Sequence, residues 1–315
     1  MTKVAVASRS FSKNLILRDA LLARYPDTTF NDAGESLSGE SLIRFLSGHE
    51  KAITALETVS ANVLKALPDL KVLSKYGVGF EMLDLIAIRE RGIRLGWTPG
   101  ANKRSVSELA LHMMIGLLRQ IPHGSRQVLA GNFRQVQGPL LSERTVGIIG
   151  FGHVGQDLGH LLRAFGTTVL AHDLRSFPSV CAETGITQVD LDSLLATSDI
   201  VTLHLPLDKT TDTYLDAARL DQLPTGAFVI NTARGGLVDE AALKDRLLSG
   251  RLGGAGLDVF RPEPPDDMDL LAMDCVMATP HIGGSAIEAV LAMGYAAIDG
   301  LDNNRIPDAT WPPGY

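Results

Sequence analysis

The hexapeptide Gly150-Phe151-Gly152-His153-Val154-Gly155 constrains this chain more than any other feature, because it stands directly behind the apolar run Val146 to Ile149 and directly before a helical pattern. In that setting the first glycine allows a tight strand-to-helix turn, the second lets a pyrophosphate approach the backbone, and the third lets helix and strand pack closely. The helix opening there offers its first N–H groups and the positive end of its dipole to phosphates. The motif reads as a dinucleotide site, with Gly150, Gly152, His153, Val154 and Gly155 as contacts. A glycine-rich turn without a ligand is the plainer alternative.

Asp173 ends the next apolar run, eighteen residues beyond Gly155, where a carboxylate would accept hydrogen bonds from the adenosine ribose and repel a 2′-phosphate. NAD is therefore expected over NADP. Arg175, two residues on, is the complication, since an arginine there can accommodate the extra phosphate.

Short β-branched runs alternate with helical stretches along all 315 residues, a length that points to about two domains. In the first part the expected strands are Lys3 to Ala7, Ala52 to Ala55, Lys71 to Ser74 and Ile93 to Leu95, with a helix over Ser60 to Ala66. The turn-rich Gly96-Trp97-Thr98-Pro99-Gly100 marks a boundary, and an apolar helix follows from about Lys103 to Arg119. That helix would suit a subunit interface, although burial against its own sheet is the commoner fate. After a polar connection through Pro122 and Gly138, a second strand series runs Val146 to Ile149, Val169 to His172, Ile200 to Leu203, Phe228 to Asn231, Ala255 to Asp258 and Val276 to Ala278. A last helix over Ile287 to Leu301 precedes an extended or docked tail, Pro307 to Tyr315.

The 29 basic and 36 acidic side chains are scattered rather than blocked, so a nucleic-acid or anionic-membrane partner has no electrostatic footprint. The longest apolar window, Leu109 to Leu118, is about half a membrane span, and the N-terminus carries no apolar leader, so the cytoplasm is expected. Cys181 and Cys275 form no CxxC or Cys/His cluster and read as reduced, buried thiols. The histidines at 49, 112, 123, 153, 160, 172 and 204 show no ligand spacing, so no metal is expected.

Three ionisable residues fall just after three successive expected strands: Arg234 in Asn231-Thr232-Ala233-Arg234-Gly235-Gly236, Glu263 in Arg261-Pro262-Glu263-Pro264, and His281 in Thr279-Pro280-His281-Ile282-Gly283. Ligands of open parallel sheets bind outside the carboxyl ends of the strands, so the three can converge. Moving a hydride to or from a hydroxyl-bearing carbon requires a group that takes or gives the hydroxyl proton, and a histidine does both near neutral pH. A carboxylate beside it orients the ring, and a fork-shaped guanidinium holds a substrate carboxylate. Singly, each has a bland reading as a surface pair, a solvated carboxylate or a turn histidine.

Together, NTARGGLVDE, LDVFRPEPP and TPHIGG behind GFGHVG resemble the D-isomer-specific 2-hydroxyacid dehydrogenases, and their phosphoglycerate-dehydrogenase-like branch most. The resemblance implies that Arg234, Glu263 and His281 are catalytic, that Leu205, Pro206, Thr232, Ala233, Asp258, His281 and Gly283 join the turn and Asp173 around the cofactor, and that homodimers form through the cofactor domain. Lys75-Tyr76-Gly77-Val78-Gly79-Phe80 resembles the family's substrate loop, with Lys75, Gly77, Val78, Gly79 and Arg234 on the carboxylate of a 2-hydroxy or 2-oxo acid. Successive small residues there expose backbone N–H groups as an anion nest. The implied fold is α/β, two doubly wound parallel-sheet domains with an interdomain cleft: a flavodoxin-like substrate domain over 1–98 plus 285–315, and a Rossmann domain over 99–284.

Departures from the branch bear on substrate. Thr54-Ala55-Leu56-Glu57-Thr58 stands where phosphoglycerate enzymes carry an arginine-containing stretch, and a Glu57 facing a phosphate would repel it, with Lys75 in partial compensation. Phe80-Glu81-Met82 replaces Val-Asp-Asn, Trp97 is bulky where the family is small or polar, and no regulatory amino-acid-binding domain is expected. Phosphoglycerate is accordingly not favoured over glyoxylate, hydroxypyruvate or another 2-oxo acid. A second reading, an NAD(H)-sensing corepressor-like interaction protein, keeps the same fold. Against it stand the complete Arg, Glu and His set and the expected lack of a long appended interaction segment.

Overall fold

The computed structural model describes residues 2–308, 310 and 311, so most of the tail beyond Asp308 lies outside the described residues. The chain divides into two units, Met1–Asn102 with Ile287–Tyr315, and Lys103–Ala286. Each is a parallel sheet between helices.

The first unit carries β1 (Val4–Val6), β2 (Thr28–Phe30), β3 (Lys51–Thr54), β4 (Val72–Lys75) and β5 (Arg94–Gly96). They are ordered β2-β1-β3-β4-β5, the flavodoxin order. Alternate side chains of one strand enter different cores. Val4 and Val6 pack with Leu17, Ile53 and Ile298 on one face, while Ala5 and Ala7 pack with Leu42, Leu64 and Leu73 on the other. Burial on both faces is why β1 reads as an unbroken apolar run rather than an alternation. The helix Ile287–Gly300 belongs to this unit and lies directly on the sheet: Ser74 Oγ donates to Ala297 O at 2.7 Å, and a Cβ on Gly96 would come within 2.2 Å of Gly300 O.

The second unit carries β6 (Thr145–Ile149), β7 (Thr168–His172), β8 (Thr187–Gln188), β9 (Ile200–Leu203), β10 (Ala227–Asn231), β11 (Leu252–Leu257) and β12 (Val276–Ala278). The order β12-β11-β10-β9-β6-β7-β8 is that of a Rossmann sheet with one added strand. Its direction of winding reverses between β6 and β9, whose ends Ile149 and Leu203 stand in register. The helix Lys103–Leu118 buries Val106, Ala110, Met113, Met114 and Leu117 in this unit's core, and a Cβ on Gly116 would reach within 2.5 Å of Met277 Cε. One face of this helix is therefore part of its own unit's core.

The segment after it differs from expectation. Residues Ile121–Leu129 form a helix rather than a polar connection, with Pro122 in its first turn, where the missing N–H costs no hydrogen bond. Nothing on this helix is buried, and Leu129 and Phe133 are 85% and 91% exposed. Cys181 and Cys275 are unbonded and only partly buried. No helix among the described residues is long and apolar enough to cross a membrane, and none of their His, Cys, Asp or Glu side chains cluster in threes as metal ligands would.

Candidate functional site

The turn after β6 lies at the reversal point of its sheet. Gly150 adopts φ 94°, a left-handed conformation that favours glycine, and a Cβ there would stand 2.6 Å from His204 O. His204 N in turn donates to Ile149 O at 2.8 Å, which draws the His204-Leu205-Pro206 turn against the glycine turn. A Cβ on Gly155 would lie 2.2 Å from Gly150 O, so only glycine lets the helix His153–Ala164 start this close to the strand. Gly152 caps that helix without any side-chain acceptor, which leaves its first N–H groups open to water or an anion. Desolvation and the nearby Lys103 and Arg175 charges hold the His153 imidazole below its ordinary pKa, and those two cations make the rim of the turn electropositive.

Asp173 follows β7 directly. Its Oδ2 accepts from Phe151 N at 2.8 Å and its Oδ1 from Arg175 N at 2.9 Å, so the carboxylate ties the glycine turn to the strand beside it. The Arg175 guanidinium folds back on Asp173, Nε to Oδ1 3.5 Å, and stacks over Phe177 at 5.1 Å. Desolvation pushes the His204 imidazole down to about 3, so it is neutral, and its Nε2 lies 3.0 Å from Thr202 Oγ1.

Arg234, Glu263 and His281 stand beyond β10, β11 and β12, whose last residues Asn231, Leu257 and Ala278 are level across the sheet. Asn231 shapes the first turn, donating from Nδ2 to Arg234 O at 2.8 Å and accepting from Ala233 N at 3.1 Å. A Cβ on the next residue, Gly235, would sit 1.9 Å from Phe260 O, so the Arg234 turn is pressed against the turn carrying Glu263. Glu263 accepts from Phe260 N through Oε1 at 3.1 Å and meets His281 Nδ1 through Oε2 at 2.9 Å. An ionised carboxylate only accepts, so the proton in that contact is on Nδ1. The other ring nitrogen, Nε2, then faces outward on a side chain that is half exposed.

His281 adopts φ 53°, uncommon for a residue with a Cβ and of the kind that persists only where surroundings impose it. Asp258 imposes it. Wholly buried at the end of β11, its carboxylate accepts from Thr279 Oγ1 at 2.6 Å, Ile282 N at 2.8 Å and Gly283 N at 2.7 Å, clamping both sides of the histidine. Ser105 Oγ donates to Gly283 O at 2.6 Å and closes the same turn from the helix Lys103–Leu118. Thr232 Oγ1 is buried and has no hydrogen-bond partner among the described residues, a group that a bound ligand could satisfy. Ser105 and Asn231 escaped the sequence reading, since their partners lie far along the chain or depend on a turn's exact shape.

In the first unit, Tyr76 to Phe80 follow β4. Gly77 has φ 112°, and the Lys75 ammonium lies beneath it, donating to Ala55 O at 2.7 Å and Tyr76 O at 3.1 Å. Lys75 is 5% exposed and braces the loop from below. Glu57 likewise turns inward, its Oε2 accepting from Ala55 N at 2.6 Å, so the carboxylate that was expected to face a substrate phosphate serves its own backbone.

The family model for the NAD binding domain of D-isomer specific 2-hydroxyacid dehydrogenases matches residues 111–283, more than half of the chain. The chain is 34% identical over 271 residues to hydroxypyruvate reductase of Thermotoga maritima, covering 84% of this chain and 88% of that protein. It is 36% identical over 271 residues to D-3-phosphoglycerate dehydrogenase of Archaeoglobus fulgidus, covering 85% of this chain and 51% of that one, so it spans about half the length of that relative. Among solved structures, D-2-hydroxyisocaproate dehydrogenase matches with a TM-score of 0.82 at 27% identity over 96% of both chains. D-Lactate dehydrogenase of Aquifex aeolicus, complexed with NAD and lactic acid, matches with a TM-score of 0.83 at 25% identity over 94% of this chain and 93% of that one. With a glycine turn at the reversal point and a histidine–carboxylate pair at neighbouring strand ends of the same sheet, the chain belongs to the D-isomer specific 2-hydroxyacid dehydrogenase family.

Proposed function

We propose that the protein interconverts a short, unphosphorylated D-2-hydroxy acid and its 2-oxo acid with NAD(H). The observation that carries this reading is the 2.9 Å contact of His281 Nδ1 with Glu263 on the sheet that also bears the glycine turn. The residues fit a dinucleotide: the turn Gly150 to Gly155, with the His153 and Val154 amides, would receive the pyrophosphate, Asp173 and the Leu205-Pro206 turn would hold the adenosine, and Thr232, Ala233 and Gly283 would hold the nicotinamide. A nicotinamide held there would supply or accept the hydride exchanged with C2 of the substrate. His281 Nε2 gives its proton to the C2 oxygen in reduction and receives one in oxidation, while Glu263 fixes the ring and stabilises the imidazolium. The amides of Gly77 to Gly79 offer an anion nest suited to a substrate carboxylate, and Arg234, on its own unit, offers a fork-shaped guanidinium suited to the same kind of group. Asp258 acts on the histidine through the turn it clamps.

Two features support NAD over NADP. A carboxylate at 173 repels a 2′-phosphate, and the arginine with the charge to neutralise one is folded onto Asp173 and Phe177. The preference for an unphosphorylated acid rests on the stretch 54–58, which carries no cation, and on a Lys75 ammonium directed at two carbonyls under the loop. We further propose a homodimer through the helix Ile121–Leu129 and the segment after it, where the apolar side chains of Leu129, Phe133 and Leu140 are exposed.

His281→Ala tests the assignment. Loss of a general acid/base costs roughly 10²–10⁴-fold in kcat, while NADH binding, read by its fluorescence, is expected to persist. Unchanged turnover in the variant would remove His281 from the chemistry.

A further inference from the structure

The chain has two tryptophans, and both stand in one aromatic stack beside the Gly77 to Gly79 loop. Trp97 follows β5, Phe80 follows the loop itself, and Trp311 comes from the C-terminal segment. Their ring centroids are 5.4 Å apart for Phe80 and Trp97 and 6.0 Å apart for Trp97 and Trp311, both edge-on. Arg305 lies over the Trp311 ring at 4.3 Å. All three rings also pack on the core that contains Leu83, Ile93 and Leu95. Within this stack Trp97 makes a directed contact with the loop, Nε1 donating to Val78 O at 2.8 Å.

That contact has a geometric consequence. The peptide unit joining Val78 to Gly79 is planar and trans, so its C=O and N–H point in opposite directions. With the carbonyl held against the indole, the Gly79 N–H is turned to the far side of the loop. Glycines on both sides of Val78 would otherwise let this peptide rotate at little cost. Lys75 restrains the loop at Tyr76 O, one peptide before Gly77.

We propose that Trp97 is a positioning residue that orients the Gly79 N–H for the carboxylate of the substrate, with Trp311 and Phe80 holding the indole in place. The proposal rests on the reading of Gly77 to Gly79 as the carboxylate site. It accounts for a large ring with an N–H at a position where packing alone would accept a phenyl ring. It also makes the C-terminal segment part of the support of the site, since Trp311 backs Trp97 and is in turn held by its backbone pairing with Asp308, N to O 3.1 Å.

The test compares Trp97→Phe with Trp311→Phe in the full chain, using glyoxylate and hydroxypyruvate as substrates and oxalate as an unreactive carboxylate probe followed by titration calorimetry. Trp97→Phe keeps a ring in the stack and deletes the N–H. It is expected to raise KM for both acids and Kd for oxalate by roughly five- to tenfold, the worth of one neutral hydrogen bond, with kcat within about twofold and KM for NADH unchanged. Trp311→Phe keeps a ring against the indole and leaves the Trp97 N–H on Val78 O, so it should leave KM and Kd within about twofold of the parent. Equal effects of the two variants, or a Trp97→Phe variant that binds oxalate as the parent does, would overturn the positioning role while leaving the carboxylate site standing. A parent protein that neither turns over these acids nor binds oxalate would overturn both.

Discussion

Asp258→Asn is the perturbation whose size the structure sets most directly. The buried carboxylate accepts three short hydrogen bonds, at 2.6, 2.8 and 2.7 Å, around His281. An asparagine that keeps its oxygen on Thr279 and Ile282 N must present its NH₂ to the Gly283 N–H, two donors facing each other in the core. One charge-assisted bond is lost and a buried N–H is left without an acceptor, at about 2–4 kcal/mol. For a unit of this size that corresponds to a fall of roughly 10 °C in Tm. Because φ at His281 departs from what a free turn would adopt, loosening the clamp also lets the imidazole drift, and misplacement by about 1 Å costs on the order of 100-fold in rate. Thermal unfolding followed by circular dichroism and steady-state NADH oxidation read the two effects. Thr279→Val, which deletes one bond without placing donor against donor, should cost less on both scales. A Tm within about 1 °C of the parent together with unchanged kcat would refute the clamp.

Other perturbations follow from single contacts. Gly155→Ala forces a Cβ to within 2.2 Å of Gly150 O and should cost about 3 kcal/mol and abolish NADH binding, whereas Gly124→Ala, on an exposed helix with no atom within 4 Å of the added carbon, should be neutral or stabilising; calorimetry on the pair separates steric from general effects. His204 has a folded pKa of about 3 against 6.5 unfolded, so the unfolded state binds the extra proton between those values and stability falls as pH drops through that window. Urea unfolding should show the parent losing about 2 kcal/mol from this residue between pH 7 and 5, a loss absent in His204→Gln. Phe133→Asp should convert a dimer to monomers in sedimentation velocity at micromolar concentration, and a dimer that survives it would place the interface elsewhere.

The alternation of apolar runs with helical patterns, and the placement of Arg234, Glu263 and His281 after successive strands, were legible because parallel strands buried on both faces leave unbroken apolar signatures. The edge strands Thr28–Phe30 and Thr187–Gln188 were not, being two or three residues long and largely polar. β11 begins at Leu252, three residues before the expected start, since Gly253 and Gly254 carry no strand signal yet fit against Gly226 O and Cys275 O. The helix Ile121–Leu129 was hidden by the proline in its first turn and by lacking a buried face. Within the site, Asp258 was picked out as a strand-end acid beside the cofactor, but its grip on the turn at 279–283 depends on contacts more than twenty residues away, which no local spacing reveals. The same holds for Trp97: its bulk was visible in the sequence, its bond to Val78 O was not.

The most direct test of the account is NADH oxidation by the purified protein with glyoxylate, hydroxypyruvate, pyruvate and phosphohydroxypyruvate, run in parallel with NADPH. Turnover with NADH on an unphosphorylated 2-oxo acid, above that with phosphohydroxypyruvate and above that with NADPH, is the predicted result. Tight NADH binding with no oxidation by any of the four acids would contradict the assignment of Arg234, Glu263 and His281 to hydride-transfer chemistry, and a preference for phosphohydroxypyruvate would contradict the reading of residues 54–58 and Lys75.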